Sequence, residues 1–296
     1  MVHIIIPVHN RLSYTINCLD SIKLTVKDEH SVTVVDDGST DGTSAYIRGN
    51  YPDVRIVRGD GDLFWTGSMK IGVESVLEGA DSDDFIMSLN NDVILRDGSV
   101  EELLKEAKKC GKNLYGSLSL GIVDKDTIVP SGTIVKSWIL NLTSHVYSSN
   151  SYRSLSDYSP VKVDILTGRS VLYPVEVFRA IGNFNAQDFP HYGGDDEFTI
   201  RANRLGWGLR LVPKSAVYID QNATGLNPTI RLLSIKLLLL SIFSIRSTNN
   251  VIVRTKLAIK IAPWYAVPTY LCTSYLKIFF TISTSMLKLL YGKVNQ

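Results

Sequence analysis

Short apolar runs alternate with amphipathic stretches over the first 120 residues of the chain. Residues 3–8 (HIIIPV) form a continuous apolar run, which is typical of a strand covered on both faces. In residues 12–26, apolar side chains recur at spacings of three and four, which predicts a helix with one apolar face. Further apolar runs predict strands at 31–35, 54–57 and 84–89. This alternation predicts an α/β domain built on a mainly parallel sheet.

The pattern is less regular between residues 114 and 163, where short alternating runs such as 127–135 favour hairpins or strands at a sheet edge. Beyond this region we predict a helix at 175–181, a second helix over about 197–205 and a strand at 209–218.

Composition indicates a globular protein, with 45% hydrophobic and 20% charged residues. The formal charge of +2 excludes a strongly basic nucleic-acid binder. That total conceals a division, because residues 1–220 hold 22 Lys or Arg against all 29 Asp and Glu, a formal −7, whereas residues 221–296 carry +9.

Three separated cysteines provide neither a disulfide framework nor a zinc cluster, which favours a reducing compartment. No basic segment precedes the first apolar run and Pro7 interrupts it, so we expect no signal peptide and a cytoplasmic location.

Polar clusters follow two of the predicted strands. Asp36 and Asp37 open a turn after the second strand, and Asn90, Asn91 and Asp92 follow the fourth. In open α/β sheets, ligands bind at the carboxyl ends of the strands, and a carboxylate there can hold a hard divalent cation that bridges to substrate phosphates. Ordinary turn formation explains the same residues and stays an alternative.

A third cluster, Gly-Gly-Asp-Asp-Glu at residues 193–197, lies at the start of the second predicted helix. One acidic residue suffices to cap a helix N-terminus. A surplus carboxylate at this position can accept a proton from a substrate hydroxyl.

Together these motifs resemble the family 2 glycosyltransferases of the GT-A fold, and the resemblance covers about residues 2–220. It rests on IIIPVHN, VVDDGSTDGT, GDLFWTGSMKIGVE, NND, TGRSVLYPVEVFRAIGNFN and GGDDEFTIRANRLGW. The resemblance implies an inverting transfer from a nucleotide-diphosphate sugar, with UDP or dTDP as the expected nucleotide.

Carried over position by position, the resemblance implies roles for individual residues. Those expected to bind the donor are Pro7, His9, Asn10, Asp36, Asp37, Lys70 and Asn91. Asp37 would read the base, Asp92 would match the last Asp of the family's D-x-D motif and hold Mg²⁺ or Mn²⁺, and Asp195 would match the general base. Residues expected near the acceptor are Trp65, Gly168, Arg169 and Asp196, although Trp65 equally suits core packing.

The sequence departs from the family pattern in several places. Asn90 replaces the first Asp of D-x-D, and Gly194 replaces the Glu before the base, which leaves Asp195 and Asp196 as alternative bases. Where many relatives carry a metal-binding His, Asp220 is the substitute ligand we expect. The Gln-x-x-Arg-Trp motif of processive synthases is absent, which favours addition of a single sugar. The same departures suggest an alternative function, a non-catalytic nucleotide-sugar-binding or scaffold subunit.

We divide the chain into a catalytic domain, residues 1–225, and a basic apolar tail, residues 226–296. The tail predicts helices at 230–243 and 275–290, in which Leu, Ile and Phe are interrupted by Lys or Arg. Its longest uncharged run, residues 261–276, contains two prolines and is shorter than the about 20 apolar residues of a membrane span. This pattern favours helices lying on the inner face of the membrane, where a lipid-linked or cell-surface glycan precursor would be the acceptor. Packing on the catalytic domain or in a homo-oligomer is the alternative.

Overall fold

The computed structural model describes residues 1–147, 151–220 and 234–292. Its strands are β1 (Val2–Val8), β2 (His30–Asp36), β3 (Val54–Arg58), β4 (Phe85–Leu89), β5 (Val93–Leu95), β6 (Asn113–Gly121), β7 (Ile128–Val129), β8 (Gly132–Ser137), β9 (Leu142–His145), β10 (Val161–Lys162), β11 (Ile165–Leu166), β12 (Ser170–Pro174) and β13 (Gly208–Ile219). Its α-helices are α1 (Leu12–Thr25), α2 (Thr43–Asn50), α3 (Phe64–Leu77), α4 (Ser99–Lys109), α5 (Val175–Ile181), α6 (Gly194–Arg204), α7 (Ile235–Ser241), α8 (Val251–Ile261) and α9 (Val267–Gly292). Short 3₁₀ turns lie at Tyr152–Ser154 and Trp264–Ala266.

A large mixed sheet forms the centre of the molecule, in the order β10-β13-β6-β12-β4-β1-β2-β3, with β5 beside β13 and β7 beside β6. Strand β1 runs parallel to β2 and β4, and β2 runs parallel to β3. Strand β12 lies antiparallel between β4 and β6, and β13 runs parallel to β6. A second, smaller sheet has the order β11-β8-β9. The predicted α/β fold with a mainly parallel sheet is confirmed.

Helices cover both faces of the parallel strands, which explains why β1 is apolar throughout. Ile5 packs in one buried cluster with Met69 of α3, and Ile4 and Ile6 pack in another with Leu19 of α1. Successive residues of a strand point to opposite faces, so a strand covered on both sides needs apolar residues at every position.

Helix α3 lies unusually close to β1 because residue 72 is glycine. A Cβ atom at Gly72 would lie 2.4 Å from Cγ2 of Ile5 and 3.1 Å from Cγ2 of Val35. This close packing fixes the N-terminal end of α3, which carries Phe64 and Trp65, against the carboxyl ends of β1 and β2.

The irregular central region contains one element that the sequence pattern did not predict. Hairpin strands form as expected, since β8 pairs antiparallel with β9. Strand β6, however, lies inside the large sheet between β12 and β13, and all nine of its residues are buried. The sequence Asn113–Gly121 contains two glycines and two serines, which weaken the apolar signal of a buried strand.

Helix α6 begins at Gly194, three residues before the predicted start. Gly193 has a φ angle of 86°, a left-handed conformation that suits glycine and allows the chain to enter the helix there. All three acidic residues of the cluster therefore lie in the first helical turn.

In the described structure, the tail packs on the rest of the chain. Helix α8 shares a buried apolar cluster with α6, in which Val253 and Leu257 contact the region of Phe189 and Ile200. The Arg204 guanidinium donates a hydrogen bond of 3.0 Å to the Lys260 carbonyl. The first predicted tail helix, residues 230–243, is described only from residue 234 onward, where α7 lies within it. The second, residues 275–290, lies within α9. The proposed domain boundary near residue 225 lies outside the described residues. Across the described ranges, no helix combines the length and apolar character needed to cross a bilayer.

Candidate active site

A cavity of about 1100 Å³ opens at the carboxyl ends of β1, β2 and β4. The loop after β1, the start of α3 and the loop after β4 form one side of it, and the N-terminal end of α6 forms another. The tail contributes a further wall through residues 246–257. The volume slightly exceeds the range of about 300–1,000 Å³ typical of small-molecule pockets, which leaves room for a large ligand or for two ligands.

The loop after β1 lines the cavity with Pro7, His9, Asn10 and Arg11. Asn10 and Arg11 both adopt left-handed backbone conformations, with φ angles of 58° and 63°. Two contacts hold this strained loop: the Asn10 amide donates to Oγ of Ser39 at 2.7 Å, and Oδ1 of Asn10 accepts the backbone N–H of residue 40 at 2.9 Å. Strained backbone that is held by several neighbours is characteristic of binding sites.

The two aspartates after β2 occupy different positions. Asp37 lines the cavity, and its carboxylate accepts the backbone N–H groups of Gly61 and Phe64 at 2.8 and 2.9 Å. Asp36 lies below it, outside the cavity lining, where it accepts the amide of Ser39 at 2.9 Å and the hydroxyl of Ser44. Asp36 therefore organises the turn, whereas Asp37 both organises the next loop and faces the cavity.

The cluster after β4 points three polar side chains in different directions. Oδ1 of Asn90 accepts a hydrogen bond of 2.8 Å from the indole of Trp65, and the amide of Asn91 donates to Oγ1 of Thr15 at 3.2 Å. Asp92 faces the cavity, 3.8 Å from the Arg11 guanidinium. Burial raises the pKa of Asp92, and the charge of Arg11 opposes that shift.

The surroundings of Asp92 fit a divalent cation. Its Oδ1 atom is buried and has no hydrogen-bond partner within the described parts of the chain. Asp220 accepts a hydrogen bond of 2.8 Å from the hydroxyl of Tyr14 and lies close enough for its charge to raise the pKa of Asp92 further, although Asp220 does not line the cavity. The described residues bring no three His, Cys, Asp or Glu side chains together as a metal cluster. A hard cation held by one or two carboxylates and completed by substrate phosphates requires no larger set.

Asp195 and Asp196, at the start of α6, both line the cavity. The Asp195 carboxylate accepts the amide of Gly168 at 2.9 Å and the amide of Asp196 at 3.0 Å. Burial of the Asp196 carboxyl, followed by the adjacent charge of Asp195, raises the pKa of Asp196 to about 7, and the charge of Arg254 opposes the shift. At neutral pH the Asp196 carboxyl is therefore partly protonated.

Close packing accounts for two glycines beside this pair. A Cβ atom at Gly194 would lie 2.3 Å from Oγ1 of Thr66, so the site has no space for the glutamate expected from the family pattern. A Cβ atom at Gly168 would lie 2.5 Å from the Trp65 ring and 3.1 Å from Cβ of Asp195. Gly168 therefore lets the indole and the carboxylate approach each other.

Three further expected site residues have distinct surroundings. The Arg169 guanidinium lines the cavity, donates to the Pro130 carbonyl at 2.8 Å and lies within electrostatic range of Asp92 and Asp195. Trp65 lines the cavity while its other ring edge packs on Phe184. The structure does not bring Lys70 to the cavity, since this side chain pairs with Glu74 at 3.9 Å along α3.

The structure also brings to the cavity four basic or imidazole side chains that sequence reasoning did not select: Arg11, His191, Arg246 and Arg254. His191 directly precedes the acidic motif, and its Nδ1 atom is buried with no hydrogen-bond partner among the described residues. Burial lowers the pKa of His191 to about 4, and the charges of Arg246 and Arg11 add to the shift. The charged residues of the tail are all basic, and this was the one sequence feature that could have indicated a role for Arg246 and Arg254.

Known proteins share sequence patterns with this chain. The sequence model of Glycosyl transferase family 2 matches residues 3–182. An N-acetylglucosaminyl-diphospho-decaprenol L-rhamnosyltransferase of Mycobacterium tuberculosis is 27% identical over 231 residues, which cover 72% of this chain and 74% of that protein.

Solved structures share the fold at low sequence identity. GalNAc-T7 with UDP, GalNAc and Mn²⁺ has a TM-score of 0.61 at 15% identity and covers 74% of this chain, which spans only 44% of GalNAc-T7. Staphylococcus aureus TarS 1–349 in complex with UDP-GlcNAc has a TM-score of 0.58 at 14% identity, covering 98% of this chain and 92% of TarS 1–349. The mannosyltransferase PcManGT from Pyrobaculum calidifontis, with GDP-Man and Mn²⁺, has a TM-score of 0.55 at 15% identity and covers 100% and 75% of the two chains.

The raised pKa of Asp196 predicts a pH-dependent stability. In the unfolded chain an Asp loses its proton near pH 4, whereas the folded protein retains it to about pH 7, so the free energy of unfolding should fall as pH rises between these values. Asp196→Asn mimics the protonated form and should remove this fall, which we expect to be on the order of 2–4 kcal/mol. Urea unfolding at pH 5 and pH 7.5 measures the effect.

The exposed Asp53→Asn is the control, and its free energy of unfolding should depend on pH as in wild type. The same pH dependence in Asp196→Asn would show that another group holds the proton.

Proposed function

The chain belongs to glycosyl transferase family 2, and from that premise we propose that its cavity transfers one sugar, with inversion, from a nucleotide-diphosphate sugar to a hydroxyl group of a lipid-linked or cell-surface glycan precursor. The observation that carries the proposal is the pair of carboxylates facing one cavity. Asp195 is held by two backbone N–H groups, and Asp92 keeps one buried oxygen without a partner.

In this proposal Asp195 is the general base. The acceptor hydroxyl gives its proton to the Asp195 carboxylate while its oxygen attacks the anomeric carbon from the face opposite the diphosphate. The bond between the anomeric carbon and the diphosphate oxygen breaks, and its electron pair leaves with the nucleoside diphosphate. The orientation of the Asp195 carboxylate by the backbone N–H groups of Gly168 and Asp196 supports this assignment.

Asp92 is the proposed metal ligand, with Asp220 as a second carboxylate nearby. A bound Mg²⁺ or Mn²⁺ supplies charge neutralisation at the diphosphate. Arg11 and Arg169, whose charges both lower the pKa of Asp92, are placed to bind phosphate oxygens at the same wall. The structural neighbours with Mn²⁺ support the use of a divalent cation in this fold.

The nucleotide would lie on the side of the cavity formed by Pro7, Asn10 and Asp37. Asp37 already accepts two backbone N–H groups but retains oxygen lone pairs for a base or ribose. UDP or dTDP is the nucleotide we propose. The UDP-GlcNAc complex of TarS 1–349 supports UDP, whereas the rhamnosyl transfer named for the mycobacterial relative favours a deoxyhexose donor.

The acceptor proposal rests on the tail together with the lipid-linked substrate named for the relative. Helix α9 buries Tyr270, Ser274 and Ile278 and exposes an apolar stripe on the opposite face, formed by Tyr275, Leu276, Phe279, Phe280 and Leu287. Phe279 and Phe280 are 63% and 61% exposed, and the tail sequence contains no acid. An apolar surface on a segment whose charged residues are all basic suits the anionic inner face of a membrane. We therefore propose that the tail attaches the protein peripherally to that face.

The assignment of the base predicts that Asp195→Asn lowers the turnover number at least about 100-fold, since a positioned base contributes about 10²–10⁴-fold. Binding of UDP, measured by calorimetry, should stay within twofold of wild type because Asp195 lies away from the proposed nucleotide wall. Release of UDP from nucleotide sugars, with and without a lipid-linked acceptor, gives the turnover.

Asp53→Asn serves again as the control and should be fully active. Substantial turnover in Asp195→Asn would exclude it as the base. A wild-type protein that binds nucleotide sugar but neither hydrolyses nor transfers it would instead favour the non-catalytic binding or scaffold subunit.

Metal binding at Asp92 predicts that excess EDTA lowers turnover at least about 100-fold and that Mn²⁺ or Mg²⁺ restores it. Asp92→Asn should lose Mn²⁺ binding, followed by electron paramagnetic resonance, and should gain no UDP affinity on addition of Mn²⁺. Turnover that is unchanged in EDTA, or Mn²⁺ binding that survives in Asp92→Asn, would contradict the assignment.

Membrane attachment predicts that the full chain sediments with vesicles containing anionic phospholipid and that the double variant Phe279→Ser/Phe280→Ser binds them about tenfold or more weakly, because each buried aromatic side chain contributes about 1.5–3 kcal/mol. The matched control is Leu24→Ser/Val123→Ser, since Leu24 and Val123 are 78% and 91% exposed on the catalytic domain. Equal losses in the two double variants, or no loss in either, would exclude the stripe as the membrane contact.

A further inference from the structure

Two arginines of the tail lie in the wall of the catalytic cavity. Arg254 belongs to the first turn of α8, and Arg246 lies in the segment that precedes this helix. The apolar cluster between α8 and α6 brings them there, because it attaches the tail to the helix that begins with Asp195 and Asp196.

Neither arginine is neutralised by a carboxylate in the part of the chain that the structure describes. Arg246 lies over the ring of Phe64, 6.0 Å from its centroid. Arg254 donates from Nε to the Thr248 carbonyl at 3.0 Å, and its terminal nitrogens have no hydrogen-bond partner among the described residues. By contrast, Lys256 and Lys260 of the same helix point away from the cavity and pair with Asp188 at 3.1 and 3.6 Å.

Arg254 lies beside the proposed base, and Arg246 lies near His191, in the segment that leads to the base. Arg254 is close enough to Asp196 to oppose the rise of its pKa. Burial lowers the pKa of His191, and the nearby charges of Arg246 and Arg11 lower it further. The Nδ1 atom of His191 is buried without a partner among the described residues. The wall beside the base is therefore rich in hydrogen-bond donors and positive charge, which suits an anionic ligand.

We propose that Arg246 and Arg254 form a subsite for a diphosphate group on the acceptor, distinct from the wall at Asp92 that takes the diphosphate of the donor. This inference rests on the proposed function. Guanidinium groups bind phosphate oxygens in pairs of parallel hydrogen bonds, and two unneutralised guanidiniums match the charge of a diphosphate.

The presence of three kinds of group supports the acceptor as the source of the diphosphate. An acceptor built as sugar, diphosphate and lipid needs a base for the sugar hydroxyl, cations for the diphosphate and an apolar surface for the lipid. Asp195 and the arginine pair line one cavity, and the tail that carries the arginines also carries the apolar stripe of α9.

Calorimetric titration of inorganic pyrophosphate into the full-length protein tests the subsite without requiring turnover. The titration is made in EDTA, alone and with excess UDP. We expect pyrophosphate binding that persists in UDP, that weakens about tenfold or more in Arg246→Gln and in Arg254→Gln, and that Arg254→Lys partly restores. Lys256→Gln removes the same charge from the same helix outside the cavity, and it should bind pyrophosphate like wild type. Unchanged melting temperatures verify that the variants are folded.

Three outcomes would overturn the proposal. Displacement of all pyrophosphate by UDP would assign the arginines to the donor diphosphate. Wild-type affinity in both glutamine variants would exclude the arginines as ligands, and an equal loss in Lys256→Gln would indicate a general effect of charge. Because binding is measured directly, these results differ from a failure of the proposed function, which would appear as absent transfer with pyrophosphate binding intact.

Steady-state kinetics then separates the subsite from a structural role. With an acceptor that carries a diphosphate, Arg246→Gln should raise the acceptor KM about tenfold and leave the donor KM within twofold of wild type. With an acceptor that has the same sugar on an uncharged alkyl group, wild type and Arg246→Gln should have similar KM values. A rise in both acceptor KM values, or in the donor KM, would contradict a diphosphate subsite.

Discussion

Carboxylates crowd one edge of the sheet, and their need for hydrogen-bond donors determines where most loops of the candidate site lie. Strands β1, β2 and β4 are parallel, so their carboxyl ends meet at the same edge, and the acidic residues that follow them are drawn together. A buried carboxylate is costly unless backbone or side-chain donors reach it. Asp36 is satisfied by its own turn, Asp37 by the loop that leads into α3 and Asp195 by the amide of Gly168. Each of these contacts fixes the position of a loop around the cavity, and Asp92, which retains an oxygen without a protein donor among the described residues, is the one suited to an external ligand.

Packing accounts for one departure from the expected family pattern. Thr66 occupies the space in which a side chain at residue 194 would lie, so a glycine is required where the resemblance implied a glutamate. A second carboxyl nevertheless lies beside Asp195, because Asp196 follows it in the first turn of α6. The substitution is therefore compatible with acid–base chemistry at Asp195.

The tail links three properties that would otherwise be separate. Helix α8 packs on α6, which carries the proposed base, while α9 presents its apolar stripe to solvent. Cations from the tail reach the cavity. In the proposed function, the segment that would contact the lipid also supplies the cations for the charged linkage of the acceptor.

The sequence by itself determined the alternation of strands and helices, the parallel direction of the first four strands and the polar clusters at strand ends. These features could be predicted because hydrophobic periodicity and turn chemistry are local properties. It also indicated the division of charge at residue 220. Only the tertiary structure decided that Asp36 and Lys70 lie outside the cavity, that β6 is an internal strand and that α6 begins at Gly194. It alone brought His191, Arg246 and Arg254 to the cavity, because contacts between segments distant along the chain depend on how apolar faces pack. Local sequence spacing carries no record of that packing.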